Sequence, residues 1–257
     1  MNYQVSKPAK ELQPYIDSYF CISGRIQDME TITLLPEGGV NVFVNLGETI
    51  RSVGLEKQIN HGGVYLVGPM LRTDVQIIQN EVLLFGVQFK PGGFMRFHRY
   101  TSLDQTANSF HTFPEKLFPD VKKTVHQFAP YLDQFYFNRL STIEPGILNC
   151  VSDIFQHHGS LHIDDLAKKH FITPRQIERK FKQEIGLSPK KFSDLVRFRR
   201  AFSVLHSNTS QSIEDVAWNC GYYDHAHMTN DFRRFTGHPP SAFILSDFSK
   251  VIADSVA

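Results

Sequence analysis

The C-terminal part of the chain carries one pattern twice. The first copy runs Ile163-Asp164-Asp165-Leu166-Ala167, then Pro174 to Phe181, then Gly186-Leu187-Ser188-Pro189-Lys190-Lys191-Phe192. The second runs Ile213-Glu214-Asp215-Val216-Ala217, then Asp224 to Phe232, then Gly237-His238-Pro239-Pro240-Ser241-Ala242-Phe243. The offset is 50 at the first block and 51 from the aromatic onward, so the second turn holds one extra residue. Each copy reads as a short helix, a tight turn and a second helix, the arrangement by which a helix-turn-helix offers a reading helix to a DNA groove. Two such units on one chain can read neighbouring stretches of one duplex face.

The 257 residues leave room for two domains, each with its own core. A content of 41% hydrophobic and 21% charged residues is that of an ordinary soluble globular protein. No apolar run approaches the roughly 18 residues of a membrane span, and Met1 to Pro14 lacks the apolar centre of a signal peptide. Cys21, Cys150 and Cys220 are scattered, odd in number and without metal-ligand spacing, which argues against a disulfide framework. A cytoplasmic chain without membrane partners is the expectation. Residues 1–149 hold 13 Lys and Arg against 14 Asp and Glu; residues 150–257 hold 14 against 12. No domain is strongly basic, yet the positives cluster at Arg175, Arg179, Lys180 and Lys182, at Arg197, Arg199 and Arg200, and at Arg233 and Arg234. A phosphate-contacting face needs that local clustering whatever the net sum.

Residues 1 to about 110 are expected to be β-rich, with strands over Val40–Leu46, Val64–Val67, Val75–Ile78 and Val82–Phe89. Gly38-Gly39, Gly62-Gly63 and Gly92-Gly93 punctuate them. Val121, Val125, Phe128, Leu132 and Phe135 then follow a helical stripe interrupted by Pro130. That stripe suits either a dimer face or a helix packed on the β domain. The stretch Thr142 to Gly146, with Pro145, marks a domain junction. Beyond it Ile147, Val151, Ile154 and Phe155 form one stripe, Ser212 is a helix N-cap, and Phe192, Leu195, Phe198, Phe202 and Leu205 mark a long connecting helix between the two units. The fold class is α+β with two domains. Residues 1–145 form a β-rich sandwich or barrel-like regulatory or dimerisation domain with helices. Residues 146–257 form an all-α DNA-binding domain with two helix-turn-helix units joined by the connector.

Ala167 and Ala217 stand where the first helix of each unit meets the second at close range, and Phe181 and Phe232 point inward. The outward face of the first reading helix then offers Arg175, Gln176, Glu178 and Arg179 to base edges. Arg can grip guanine with two hydrogen bonds, Gln can do so to adenine, and Glu can accept from cytosine. Glu178 can equally pair with Arg175 or Lys182 and only orient them. In the second unit His225, His227 and Asn230 are the base-reading candidates. Thr173, Lys182, Tyr223, Arg233 and Arg234 are the candidates for phosphates. His225 and His227, two apart on a helix, point to different faces and make a poor metal pair, as do the adjacent His157 and His158. No metal, cofactor or catalytic group is expected.

The region from Ile147 to Phe248 resembles the double helix-turn-helix DNA-binding domain of the AraC/XylS family of bacterial transcription regulators. The resemblance rests on Gln176-Ile177-Glu178-Arg179-Lys180-Phe181-Lys182 followed by Gly186-Leu187-Ser188-Pro189, on the connector Arg197-Phe198-Arg199-Arg200-Ala201, and on Ile213 to Gly221 followed by Phe232 to Pro240. It implies a domain that places two helices in successive major-groove segments, about 34 Å apart. By motif position Arg175, Glu178 and Arg179, then His225, His227 and Asn230, correspond to the family's base contacts. Asn230 departs from the family, where relatives often carry Arg. Leu35-Pro36-Glu37-Gly38-Gly39 and Gly86 to Gly93 resemble a β-rich, often cupin-like sensor type of the same family, though His61 and His98 stand apart from any metal cluster. The resemblance implies double-stranded DNA as partner, RNA polymerase and a second copy of the chain as candidate protein partners, and an effector of unknown identity. Two rivals are a β domain that only dimerises and an enzyme with a DNA-binding appendage.

Overall fold

The computed structural model describes residues 1–98, 102–120, 128–141, 146–207, 211–244 and 251–252. The N-terminal part is an antiparallel sheet of β1 (Asn2–Ser6), β2 (Ile16–Leu34), β3 (Val40–Asn45), β4 (Ile50–Ser52), β5 (Lys57–Ile59), β6 (Val64–Val67), β7 (Asp74–Phe89) and β8 (Phe110–Thr112). Its order is β1-β2-β7-β3-β6-β8, with β4 bridging β5 and β7. The expected segments Val75–Ile78 and Val82–Phe89 are one strand. The polar step Gln79-Asn80-Glu81 does not turn the chain. A register shift between Ile26 and Glu30 on β2, opposite Asn80 with its φ of 57°, absorbs it as a bulge.

Side chains alternate across this sheet and build two separate cores. Tyr19, Cys21, Val42, Val44, Phe85, Val87 and Phe89 face one way and pack with Phe94, Phe97 and α1 (Phe128–Phe137). Ile22, Ile32, Phe43, Ile50, Ile78, Val82, Leu84 and Phe110 face the other way, into the hollow of the curled sheet. Phe128 and Leu132 are buried in the first core and Phe135 is half-buried against it. The described part of the helical stripe is therefore spent on the β domain rather than offered as a dimer seam. Val121 and Val125, and the junction residues 142–145, lie outside the described residues.

The C-terminal part is α2 (Gly146–Gln156), α3 (Ile163–Lys169), α4 (Pro174–Glu184), α5 (Pro189–His206), α6 (Ile213–Asn219) and α7 (His225–Thr236). One core serves both repeats, because α5 buries Phe192, Leu195, Phe198, Ala201, Phe202 and Leu205 between them. Each such aromatic contributes roughly 1.5–3 kcal/mol of burial. Phe155 ends the α2 stripe half-exposed, its ring edge-on to Phe192 at 5.6 Å. No helix among the described residues is long and apolar enough to cross a membrane.

The two parts touch through the backbone. Thr73 N donates to the Phe235 carbonyl at 2.9 Å, and Leu103 N donates to the Gln183 carbonyl at 2.9 Å. Arg199 Nη1 donates to the Pro36 carbonyl at 3.3 Å. Gly38 lies so close to α5 that a Cβ there would meet the Phe192 ring at 2.7 Å, which accounts for a glycine at that contact.

Candidate nucleic-acid interface

The first unit is α3 and α4. Ala167 is buried between them, while Ile177 and Phe181 seat α4 in the core. Thr173 caps α4: its Oγ1 accepts from Gln176 N at 3.2 Å, and Thr173 N donates to Gln176 Oε1 at 2.8 Å. Pro174, which has no N–H to leave unsatisfied, opens the helix. Arg175, Arg179 and Lys182 then project from the exposed face. Glu178 is half-buried and forms no ion pair among the described residues, so neither Arg175 nor Lys182 is held by it. Gln176 differs from its expected role in one respect. Its carboxamide oxygen is engaged at the cap, and only its Nε2 is left to meet a base.

At its other end α4 meets the β domain. Burial pushes the Glu184 carboxyl up, with Lys180 and then Arg96 of the N-terminal part opposing.

The second unit is α6 and α7. Ser212 and Asp215 form a reciprocal cap on α6, and Ala217 is buried as Ala167 is. Asp224 caps α7, accepting from His227 N at 2.7 Å. His225, His227, Asn230 and Tyr223 are exposed, with the His227 ring edge-on to Tyr222 at 5.2 Å. The Asp224 carboxylate satisfies the helix N-terminus that would otherwise attract phosphate. An Asp224→Ala substitution should cost about 1 kcal/mol of stability and fray the turn that carries His225 and His227. A chemical-denaturation midpoint unchanged from wild type would contradict that role.

Two neighbouring arginines of α7 divide sharply. Arg233 is exposed and has no ion pair among the described residues. Arg234 contacts Asp231 at 2.8 Å and Asp194 of α5 at 3.2 Å, with its guanidinium 4.6 Å from the Phe235 ring. Burial pushes the Asp231 carboxyl up, and Arg234 opposes it. Asp194 also binds Arg197 at 2.8 Å, and Arg197 lies over Tyr222 at 5.0 Å. This network ties α7 to the connector. The sequence reading missed Asp194 at its centre, although the three-residue step from Asp194 to Arg197 on one helix is a visible signal.

Known proteins resemble the chain in parts. Residues 166–245 match a family model described as a helix-turn-helix domain, and residues 4–111 match one described as a domain of unknown function (DUF6597). The transcriptional activator RhaS of Escherichia coli (strain SE11) is 31% identical over 123 residues, covering 45% of this chain and 44% of RhaS. RhaS of Klebsiella pneumoniae (strain 342) is 31% identical over 71 residues, covering 28% of this chain and 25% of that protein. The chain thus aligns with less than half the length of these curated relatives. ToxT from Vibrio cholerae has the same two-part architecture, with a TM-score of 0.50 at 9% identity over 98% of this chain and 100% of that one, a likeness of fold alone. The duplicated helix-turn-helix on one connector, the matched model over it and the RhaS likeness agree: residues 166–245 are similar to the helix-turn-helix region of AraC/XylS-family regulators.

Proposed function

We propose that the protein is a sequence-specific transcription regulator. Residues 146–257 read double-stranded DNA, and residues 1–145 sense an effector. The carrying observation is the pair of reading helices, α4 anchored by buried Phe181 and α7 by buried Phe232 and Phe235, each with its polar face open, on a single rigid connector. In this reading Arg175, Glu178 and Arg179 contact bases from the first unit, with Gln176 adding one donor. His225, His227 and Asn230 do so from the second. Thr173, Lys182, Tyr223 and Arg233 hold phosphates, and Arg234 contributes by sharing its charge with Asp194 and Asp231. The first unit supplies most of the discrimination, because its exposed arginines are not spent internally. RNA polymerase and a second copy of the chain are the protein partners that go with this role.

Arg179→Ala should weaken binding to a selected site by about 1–3 kcal/mol and relax preference at one base. Equal loss on selected and random duplexes would reject base reading by Arg179. Binding should also fall steeply with added salt, since phosphate contacts release counterions.

The sensing half rests on a cavity of about 120 Å³ inside the curled sheet, into whose lining Arg199 of α5 also reaches. An occupant there has two routes to the reading helices: Arg199 with its bond to Pro36, and Thr73 with its bond to the end of α7. A β domain that only dimerises would bind no small molecule. Ligand screening on the full chain by thermal shift separates the two, because a ligand that binds only the folded form raises the Tm.

A further inference from the structure

The wall of that cavity is hydrocarbon over most of its extent, with Ile22, Phe43, Ile78 and Leu84 among the side chains that line it. Asp74, at the start of β7, also lines it and is only 1% exposed. Its Oδ1 accepts from Gly54 N at 2.9 Å and from Ser52 Oγ at 2.9 Å, and its Oδ2 lies 2.8 Å from the same Ser52 hydroxyl. A hydroxyl carries one hydrogen, so two donors serve a carboxylate with about four acceptor sites. No Lys, Arg or His pairs with Asp74 among the described residues. The approach of the carboxylate is built into the chain, since a Cβ at Gly54 would come within 2.7 Å of Asp74 Oδ1.

A buried carboxylate without a cation is costly, and here it borders an apolar space. Size narrows the occupant further. A dry, apolar protein cavity of roughly 150 Å³ accommodates benzene, so about 120 Å³ suits a ring-sized molecule and not a long acyl chain.

We infer that the cavity binds a small organic cation, a protonated amine on a ring-sized hydrocarbon, with the ammonium donating to Asp74 and the hydrocarbon against Ile22, Phe43, Ile78 and Leu84. The inference rests on reading the cavity as the effector site. Arg199 lines the same space and would favour an anion. It is only half-buried, however, and already donates to the Pro36 carbonyl, whereas Asp74 is fully enclosed.

The test is calorimetric titration of the full chain with benzylamine, benzyl alcohol and benzoate at neutral pH. Benzylamine should bind at least ten-fold tighter than benzyl alcohol and, at ten times its Kd, raise the Tm by about 2–4 °C. Asp74→Asn should erase that preference while leaving the alcohol's affinity unchanged, which also shows that the cavity is intact. Benzoate binding tighter than benzylamine, or an Asp74→Asn protein that keeps the preference, would overturn the inference. Equal binding of alcohol and amine would sink the cation and leave the effector cavity standing. Binding of none of the three would remove both. If Asp74→Asn does not fold, amine against alcohol on the wild-type chain decides alone.

Discussion

Phe198→Ala is expected to destabilise the protein by about 3–5 kcal/mol, the cost of truncating a fully packed aromatic. Phe198 is 1% exposed, and its ring stands 4.9 Å from Phe232 and 4.7 Å from Phe235. Both partners belong to α7, so the void opens under the second reading helix. The first helix is anchored elsewhere on the connector, through Phe192 against Phe181 at 5.8 Å. The damage should therefore be asymmetric. On a selected DNA site, footprinting should show the half read by α7 losing protection first, with the half read by α4 retained. A urea midpoint equal to wild type would refute the packing argument. Uniform loss across the site would refute the division of α5 into two anchors.

Acid is expected to weaken the N-terminal part through His98. The ring is buried against Phe94 at 4.7 Å and Phe113 at 5.2 Å, and its Nε2 has no hydrogen-bond partner. Burial, with a smaller contribution from the Arg139 charge, lowers its pKa to about 4. An unfolded histidine titrates near 6.5, so the unfolded chain takes up the proton first. Stability from this group is complete above roughly pH 6.5 and falls as the pH drops toward 4. The loss between pH 7 and pH 5 amounts to about 2 kcal/mol and approaches about 3 kcal/mol below pH 4. His98→Phe keeps a ring in the cluster and removes the proton site, so its unfolding free energy should vary less over that interval by the same amount. Identical pH profiles for the two proteins would show that His98 is not held neutral by its burial.

The helical half was legible because its signals are local. Thr173 with Gln176, Ser212 with Asp215, and Asp224 with His227 each cap a helix within three residues, and the small alanines fall at the helix crossings. The β half was legible only in pieces. β2 runs 19 residues through Gly24 and Asp28, which interrupt the alternation a strand should show. What carries the chain through is pairing with β7, a partner about 50 residues away along the chain.

The site shows the same division. The sequence by itself determined that there are two reading helices and which aromatics face inward, because helical periodicity acts over three or four residues, while their caps, Thr173 and Asp224, came from the structure. It offered Arg233 and Arg234 as equal phosphate hands. Only the tertiary structure separated them, since one residue along a helix turns the side chain by about 100°: Arg234 comes to Asp194 on α5 while Arg233 has no ion pair among the described residues. The cavity and Asp74 within it were likewise decided in three dimensions, because a hollow exists only once the paired strands curl around it.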